Sequence, residues 1–207
     1  MLAEIRAGLI KTADGGVNTA RADSTGALVV AAGHGRYLET AMRGNVYFAS
    51  IASGSPTAYV GAAGGSPLLA VHNPSSSNKA LALIAASGIV RVTASAAGTT
   101  GLLLWAGASV TPTGTQTQPK SALTYLSGGI GLGFSNTALT GSTALNLAMS
   151  LNLYYWATAA GAIAAQGFVD LNGLIVLMPG MQAAIGASVV PTSTTWDASL
   201  WWEEIQL

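Results

Sequence analysis

The longest regular pattern in the chain is an alternation of large apolar residues with other residues between Leu145 and Trp156. The apolar side chains recur at every second position, which is the period of a β-strand and not that of a helix. The pattern therefore predicts a strand over residues 145–156. One face of it carries Leu145, Leu147, Met149, Leu151, Leu153 and Tyr155.

The last third of the chain, residues 174–207, contains three apolar runs separated by turn residues such as Pro179-Gly180. Runs of this length between turn residues are typical of strands that follow one another in a meander. Just before them, Asn172-Gly173 has the composition of a two-residue hairpin turn. We therefore predict three consecutive closing strands, entered through a hairpin.

Shorter apolar runs predict further strands at residues 45–51, 68–72, 79–93, 99–106 and 162–170. Gly88 permits a bulge in one of them. Residues 111–119 are predicted to be a loop that cannot pair through its prolines, and residues 122–126 a weak strand. Eight to ten strands joined by loops predict an all-β fold, an antiparallel β-sandwich of jelly-roll type.

Charge divides the chain into two parts. Only 8% of the residues are charged, against about 25% in ordinary globular domains, and nine of the sixteen charges lie within residues 1–43. Residues 1–45 carry too little apolar surface to offset the cost of ordering their backbone alone, roughly 1 to 2 kcal/mol per residue. We predict an extended N-terminal arm over residues 1–45, ordered against another surface, and a sandwich body over residues 46–207.

The arm contains the cations that we expect to make contacts. Arg21, Arg36 and Arg43 carry planar guanidinium groups that can bind a carboxylate or backbone carbonyls through two hydrogen bonds. His34 lies between two glycines that let a backbone approach a ligand closely, although a solvated histidine of an extended arm explains the same sequence. Mixed charges in the arm favour a specific protein partner over a polyanion.

The residues needed for common catalytic and ligand sites are missing from the sequence. There is no cysteine, and the two histidines have no acidic residue near them, so no metal site is predicted. The glycine patterns that hold a nucleophilic serine or a phosphate are absent. We expect no catalytic residue, no cofactor and no enzymatic activity.

Nucleic acid and membrane are also unexpected partners. The body has only three cations, Lys79, Arg91 and Lys120, which is too few to neutralise a phosphate backbone. Residues 121–169 carry no charge, but Asn, Ser, Thr and Gly interrupt every apolar window of about 20 residues, the length a spanning helix needs.

Four residues near the C-terminus, Trp201, Trp202, Glu203 and Glu204, alternate between the two faces of the last predicted strand. Because the two acids point in opposite directions, they cannot act together on one substrate. We expect one to be solvated, and the other to pair with an arginine or to lie at the rim of an interface. The tryptophans indicate a core contact on one face and a subunit contact on the other; the alternative is a platform on which a sugar stacks.

Several segments together resemble small virion structural proteins of tailed bacteriophages. These are DSTGALVVAAGHGRYLETAMRGNVYFAS (residues 23–50), VHNPSSSNKALALI (residues 71–84), LMPGMQAAIG (residues 177–186) and the final WWEEIQL. The resemblance implies a β-sandwich, often a jelly roll in trimers, that decorates or cements the capsid shell while an arm grips neighbouring subunits.

On this resemblance the expected partners are other copies of the chain, as a homotrimer, and the major capsid protein or neighbouring virion proteins. The expected location is the capsid surface of the virion, after synthesis in the host cytoplasm. The alternative is a receptor-binding or glycan-binding head module of a fibre or spike, for which we would expect aromatic-rich loops. The loops here are rich in Gly, Ser, Thr and Ala, which favours the capsid protein. A third hypothesis, a glycan-cleaving enzyme, lacks two acids on one face.

Overall fold

The structure is a computed structural model that describes residues 10–11, 17–18, 21–22, 28–29, 37–54, 67–92, 98–108, 116–135, 146–156, 166–187 and 195–207. The chain divides into two compact units, Met1–Leu38 and Glu39–Leu207.

In the first unit the structure describes four two-residue strands, which form two antiparallel pairs. β1 (Ile10–Lys11) pairs with β2 (Val17–Asn18), and β3 (Arg21–Ala22) pairs with β4 (Leu28–Val29). An isolated pair of strands is marginally stable in water, so pairs this short add little stability of their own.

A short helix, α1 (Leu38–Met42), spans the division between the two units. The turn that follows it contains Gly44, whose amide donates to the carbonyl of Ala41 at 2.9 Å. Gly44 has φ +75°, a conformation that glycine adopts without strain and that commonly ends helices. The predicted domain boundary at residue 45 falls after this helix, whereas the compact units divide before Glu39.

In the second unit the structure describes two antiparallel sheets of six strands each. In chain order its strands are β5 (Val46–Gly54), β6 (Leu69–His72), β7 (Lys79–Val92), β8 (Gly98–Ala108), β9 (Gln116–Thr117), β10 (Lys120–Ser121), β11 (Leu132–Ser135), β12 (Asn146–Trp156), β13 (Gln166–Asp170), β14 (Val176–Leu177), β15 (Met181–Ala187) and β16 (Thr195–Gln206). The first sheet has the order β10-β5-β16-β7-β13, and β14 also pairs with β7. The second has the order β12-β8-β15-β6-β11-β9. The predicted all-β antiparallel sandwich is confirmed.

The main strands pair in a nested order along the chain. β8 pairs with β12, β7 with β13, β6 with β15 and β5 with β16. The strands of the first half of the body therefore pair antiparallel with strands of the second half taken in reverse chain order. Successive members of each half lie in alternate sheets. The three short strands β9, β10 and β11 form an insertion between β8 and β12 that lengthens both sheets beside β5 and β6.

One apolar core joins the two sheets. In β16 every second side chain from Trp196 to Trp202 is fully or almost fully buried, as strand alternation requires. Burial of large side chains such as these contributes roughly 1.5 to 3 kcal/mol each. The other large members of the core are Leu68, Leu69, Val71, Leu81, Leu83, Leu104, Leu171, Leu177, Ile185 and Leu200.

The second sheet is also covered on its far side. Phe134 and Ala184 lie directly opposite Ala70 on neighbouring strands and are buried with it, and the half-buried Trp105 and Leu132 pack against them. Because β6 and β15 are buried on both faces, their sequences are continuously apolar over most of their length and do not alternate.

The predicted meander of the last third is wrong. β14 and β16 belong to the first sheet, but β15, which lies between them in the chain, belongs to the second. Consecutive strands of this third therefore lie in different sheets. The strands themselves were predicted correctly, because periodicity and turn residues mark strands without indicating their partners.

The predicted hairpin at Asn172-Gly173 is also wrong, although its local geometry is a tight turn. Both residues have positive φ, 52° and 78°, and the amide of Leu174 donates to the carbonyl of Leu171 at 2.9 Å. However, β13 before the turn and β14 after it both pair with β7 and not with each other. The turn is an outward bulge along one edge of the first sheet.

Three further predictions differ from the structure. Gly88 pairs regularly with Gly167 and Ala198, and the two irregularities of β7 against β16 lie at Ile84 and Arg91 instead. Residues 122–126 form an exposed turn and not a strand. Within the predicted unpaired loop, β9 does pair with β11, because its two residues precede Pro119.

The predicted strand at residues 145–156 is confirmed as β12. Its register against β8 shifts twice, once after Leu147 and once after Ser150, so the single apolar face that the sequence predicts is interrupted. Leu147 itself is half exposed.

Candidate interaction surface

The last strand, β16, places its tryptophans and glutamates on two faces of the first sheet. Trp202 and Glu204 point into the sandwich and are buried, whereas Trp201 and Glu203 lie half-buried on the outer face, away from the core. This is the alternation that the sequence predicts. The two acids are therefore on opposite sides of a sheet, and Trp202 has the predicted core contact.

Glu204 binds three groups from distant parts of the chain. Its Oε2 accepts a hydrogen bond from Nζ of Lys79 at 2.9 Å, in an ion pair. Its Oε1 accepts from the backbone amide of Ile130, and more weakly from that of Gly131 at 3.3 Å. The predicted arginine partner is thus replaced by Lys79. The buried carboxylate is satisfied, and it ties the segment between β10 and β11 to the core.

The glycines of that segment are required by its close approach to β16 and β5. A Cβ atom on Gly129 would lie 2.8 Å from Oε1 of Glu204 and 2.9 Å from Cδ1 of Tyr47, and Gly129 also has φ +87°. A Cβ atom on Gly131 would lie 3.0 Å from Cζ2 of Trp202. The Ser-Gly-Gly-Ile-Gly sequence therefore reflects packing against the core and not a phosphate-binding loop.

Three aromatic rings stack across the outer face of the first sheet. Phe48 of β5 lies directly opposite Trp201, with ring centroids 4.5 Å apart and planes 19° from parallel. Tyr125 contacts the same Phe48 edge-on at 6.1 Å. Aromatic pairs of this kind contribute about 0.5 to 1.5 kcal/mol beyond the area they bury. The stack therefore holds Tyr125 against the sheet.

Tyr125 belongs to a short hairpin that projects from the edge of the sheet. The amide of Ser121 donates to the carbonyl of Leu126 at 3.0 Å, and the amide of Tyr125 donates to the carbonyl of Ser121 at 2.9 Å. Tyr125 has φ +58°, which costs a non-glycine residue about 1 kcal/mol or more. The turn is thus held in a conformation that keeps its side chains on the surface.

This turn presents apolar side chains to solvent. Leu123, Tyr125 and Leu126 are 45, 66 and 69% exposed, and we call these three residues the hairpin group. Isolated exposed leucines need no explanation, but three neighbouring large apolar residues on a braced turn are typical of an interaction site. The sequence pattern missed this site because it cannot distinguish a short buried strand from an exposed apolar turn.

A second apolar group lies at the other edge of the same sheet. Phe168 of β13 and Val176 of β14 lie on the outer face, and Leu174 lies in the turn between these strands. Their exposure ranges from 42 to 80%. We call these three residues the β13 group.

Beside the aromatic stack, the outer face carries a row of serines and contains a shallow cavity. Ser50, Ser199 and Ser87 lie opposite one another on three adjacent strands, and the hydroxyl oxygens of Ser87 and Ser199 are 2.8 Å apart. Together with Asp197 and Ile89, they line a cavity of about 280 Å³. Trp201 adjoins it, since its Nε1 donates to Oγ of Ser199 at 3.3 Å.

The structure does not bring all of the sequence-predicted contact residues together. Arg21 lies in β3 of the first unit, and only its backbone is described; His34 and Arg36 lie outside the described residues. Arg43 is exposed in the turn after α1. It lies two residues before Asn45, whose carbonyl accepts a hydrogen bond from the amide of Glu204 at 2.8 Å.

The described histidine, His72, is buried at the end of β6, and burial lowers its pKa below the ordinary value of 6.5. The neighbouring Asn73 secures the adjoining turns. Its Nδ2 donates to the carbonyls of Lys79 and Leu177 at 2.8 and 2.9 Å.

Among the described residues, no three or more His, Cys, Asp and Glu side chains are grouped so that they could hold a metal ion. The described helix is far too short to cross a membrane. Comparison with known proteins gives no match to a family, to a curated protein or to a solved structure.

Proposed function

We propose that this chain is a non-enzymatic structural protein of a phage virion that decorates or cements the capsid shell. In this proposal the body assembles with other copies of the chain, as a trimer, and the N-terminal segment grips the major capsid protein or neighbouring virion proteins. The protein is made in the host cytoplasm and acts on the capsid surface.

The exposed hairpin group is the observation that carries this proposal. Its three apolar side chains stand on a turn that the edge-on contact between Tyr125 and Phe48 holds against the sheet. A rigid apolar protrusion costs free energy in water and is stabilised when a protein surface covers it. A chain with so few charges has little electrostatic repulsion to keep such surfaces apart.

The topology is compatible with the same proposal. We infer that the sandwich is a jelly roll, since four nested antiparallel pairs whose members alternate between two sheets are what folding one long ribbon of strands produces. Jelly rolls occur in viral capsid proteins and also in lectins. The topology therefore fits both candidate functions and does not choose between them.

The absence of catalysis is part of the proposal. Glu203 and Glu204 are separated by the sheet itself, and Glu204 is occupied by Lys79 and two backbone amides. We expect no hydrolytic activity toward glycans. Cleavage that Glu203→Gln or Glu204→Gln abolishes would contradict this expectation.

Immunogold electron microscopy of the virions tests the proposed location, with an antibody raised against the purified protein. We expect gold particles over the head shell. Shells stripped of the protein should bind the recombinant chain saturably, and the double variant Leu123→Ser/Leu126→Ser should bind less, whereas Ser76→Ala, a change at an exposed loop position, should bind normally. A chain that is absent from the virions would refute the proposal.

A receptor-binding or glycan-binding module is the second candidate, and the outer-face cavity favours it. Three serine hydroxyls and a carboxylate beside an aromatic ring are groups that bind sugars. A glycan array separates the candidates. Binding that is lost in both Asp197→Asn and Trp201→Ala, together with gold label confined to the tail or fibres, would favour this second function.

A further inference from the structure

The two ends of the first sheet carry complementary groups on its outer face. The hairpin group lies beside β10 at one end, and the β13 group lies at the other. Each end presents three exposed apolar side chains. One molecule therefore carries two different apolar surfaces at opposite edges of the same sheet.

Opposite charges mark the same two ends. Lys120, Phe48, Trp201, Ala85 and Asp170 lie directly opposite one another on five successive strands, so their side chains share the outer face. Four strand spacings separate the lysine from the aspartate by roughly 19 Å. Both end residues are exposed, and within the described part of the chain neither forms an ion pair.

We propose that the hairpin group of one copy packs head to tail against the β13 group of the next copy, with Lys120 of the first beside Asp170 of the second. The proposal rests on the self-assembling structural role proposed above and specifies the surface that this assembly uses. Contact between two different patches is heterologous, and such contacts close into a ring when the rotation between copies allows it.

A second copy fits these surfaces better than an unrelated partner because the two patches complement each other in charge as well as in apolar character. Two copies could instead pack outer face against outer face, related by a two-fold axis parallel to β16, and this arrangement would also bring Lys120 of one copy over Asp170 of the other. It would, however, set Glu203 of the two copies against each other, and like charges opposed at an interface are unfavourable. The head-to-tail contact avoids this repulsion.

Charge reversal of the full-length chain tests the contact, with the mass and the association constant measured by analytical ultracentrifugation in about 50 mM salt, where surface charges are weakly screened. Lys120→Glu and Asp170→Lys should each weaken self-association about tenfold. The double variant, which exchanges the two charges, should recover most of the loss. Tyr125→Ser and Phe168→Ser should weaken association from opposite ends of the same contact.

Ser76→Glu and Ser76→Lys, in the exposed turn between β6 and β7, are the matched controls and should associate like the native chain. Far-UV circular dichroism checks that every variant is folded. A native chain that stays monomeric at high concentration would refute the proposed assembly itself. Three other results would overturn the head-to-tail contact but not the assembly. The first is that neither charge reversal changes the association constant, and the second is that the double variant fails to recover the loss of the single variants. The third such result is a mass of two copies.

Discussion

Replacing Glu204 with alanine should destabilise the body strongly, because the change leaves three hydrogen-bond donors without their acceptor. The hydrogen bond of the Gly131 amide is buried and that of the Ile130 amide is partly buried, and leaving a buried donor unsatisfied costs about 1 to 3 kcal/mol. Lys79, at 33% side-chain exposure, can turn toward water and adds about 1 kcal/mol or less. We expect a total loss of about 3 to 5 kcal/mol, the usual cost of breaking a buried ion pair.

Two variants divide this loss into its parts. Glu204→Gln keeps an oxygen that accepts from the two amides and removes only the charge, so it should cost about 1 to 2 kcal/mol. Glu203→Ala is the matched control, because it removes the neighbouring acid from the outer face and should cost less than about 0.5 kcal/mol.

Urea unfolding followed by tryptophan fluorescence measures these losses, since Trp196 and Trp202 are buried in the core. At one fixed protein concentration, Glu204→Ala should lower the transition midpoint by roughly 1 to 2 M, given a slope of about 3 kcal/mol per M. If Glu204→Ala and Glu203→Ala gave the same midpoint, the carboxylate would not hold the segment between β10 and β11.

The remaining predictions concern other parts of the fold. Gly129→Ala should cost about 2 to 4 kcal/mol, because its Cβ atom collides with neighbouring side chains and the residue keeps a left-handed conformation. Gly44→Ala is the control: its Cβ atom meets open space, so it should cost only the left-handed strain of about 1 to 2 kcal/mol. Equal melting temperatures of the two variants would exclude the collision. Because burial lowers the pKa of His72 in the folded chain, the unfolded chain binds a proton at this histidine at a higher pH than the folded chain does. The free energy of unfolding should therefore fall as the pH drops below 6.5, by up to about 1.4 kcal/mol per pH unit. In urea titrations, His72→Leu should remove this pH dependence below about pH 6.5. A chain lacking residues 1–36 should melt nearly unchanged but no longer bind stripped shells; a truncated chain that cannot fold would place these residues within the sandwich.

Local pattern was sufficient to predict most of the long strands and the two faces of β16. Alternation along β16 put Trp202 and Glu204 on one side and Trp201 and Glu203 on the other, because a strand turns successive side chains to opposite faces whatever its partners are. Turn residues marked most strand ends for the same local reason. An all-β body followed from these two observations alone.

Tertiary structure alone decided which strands are neighbours and which groups meet. The partner of Glu204 is Lys79, 125 residues earlier in the chain, and its amide donor at Ile130 is 74 residues away. Asn172-Gly173 has the composition and the dihedral angles of a hairpin, yet β7 binds the strands on both sides of it. Periodicity reports the environment of each residue over a few positions, whereas strand pairing and the exposure of the hairpin group depend on hydrogen bonds and packing between segments far apart in the sequence.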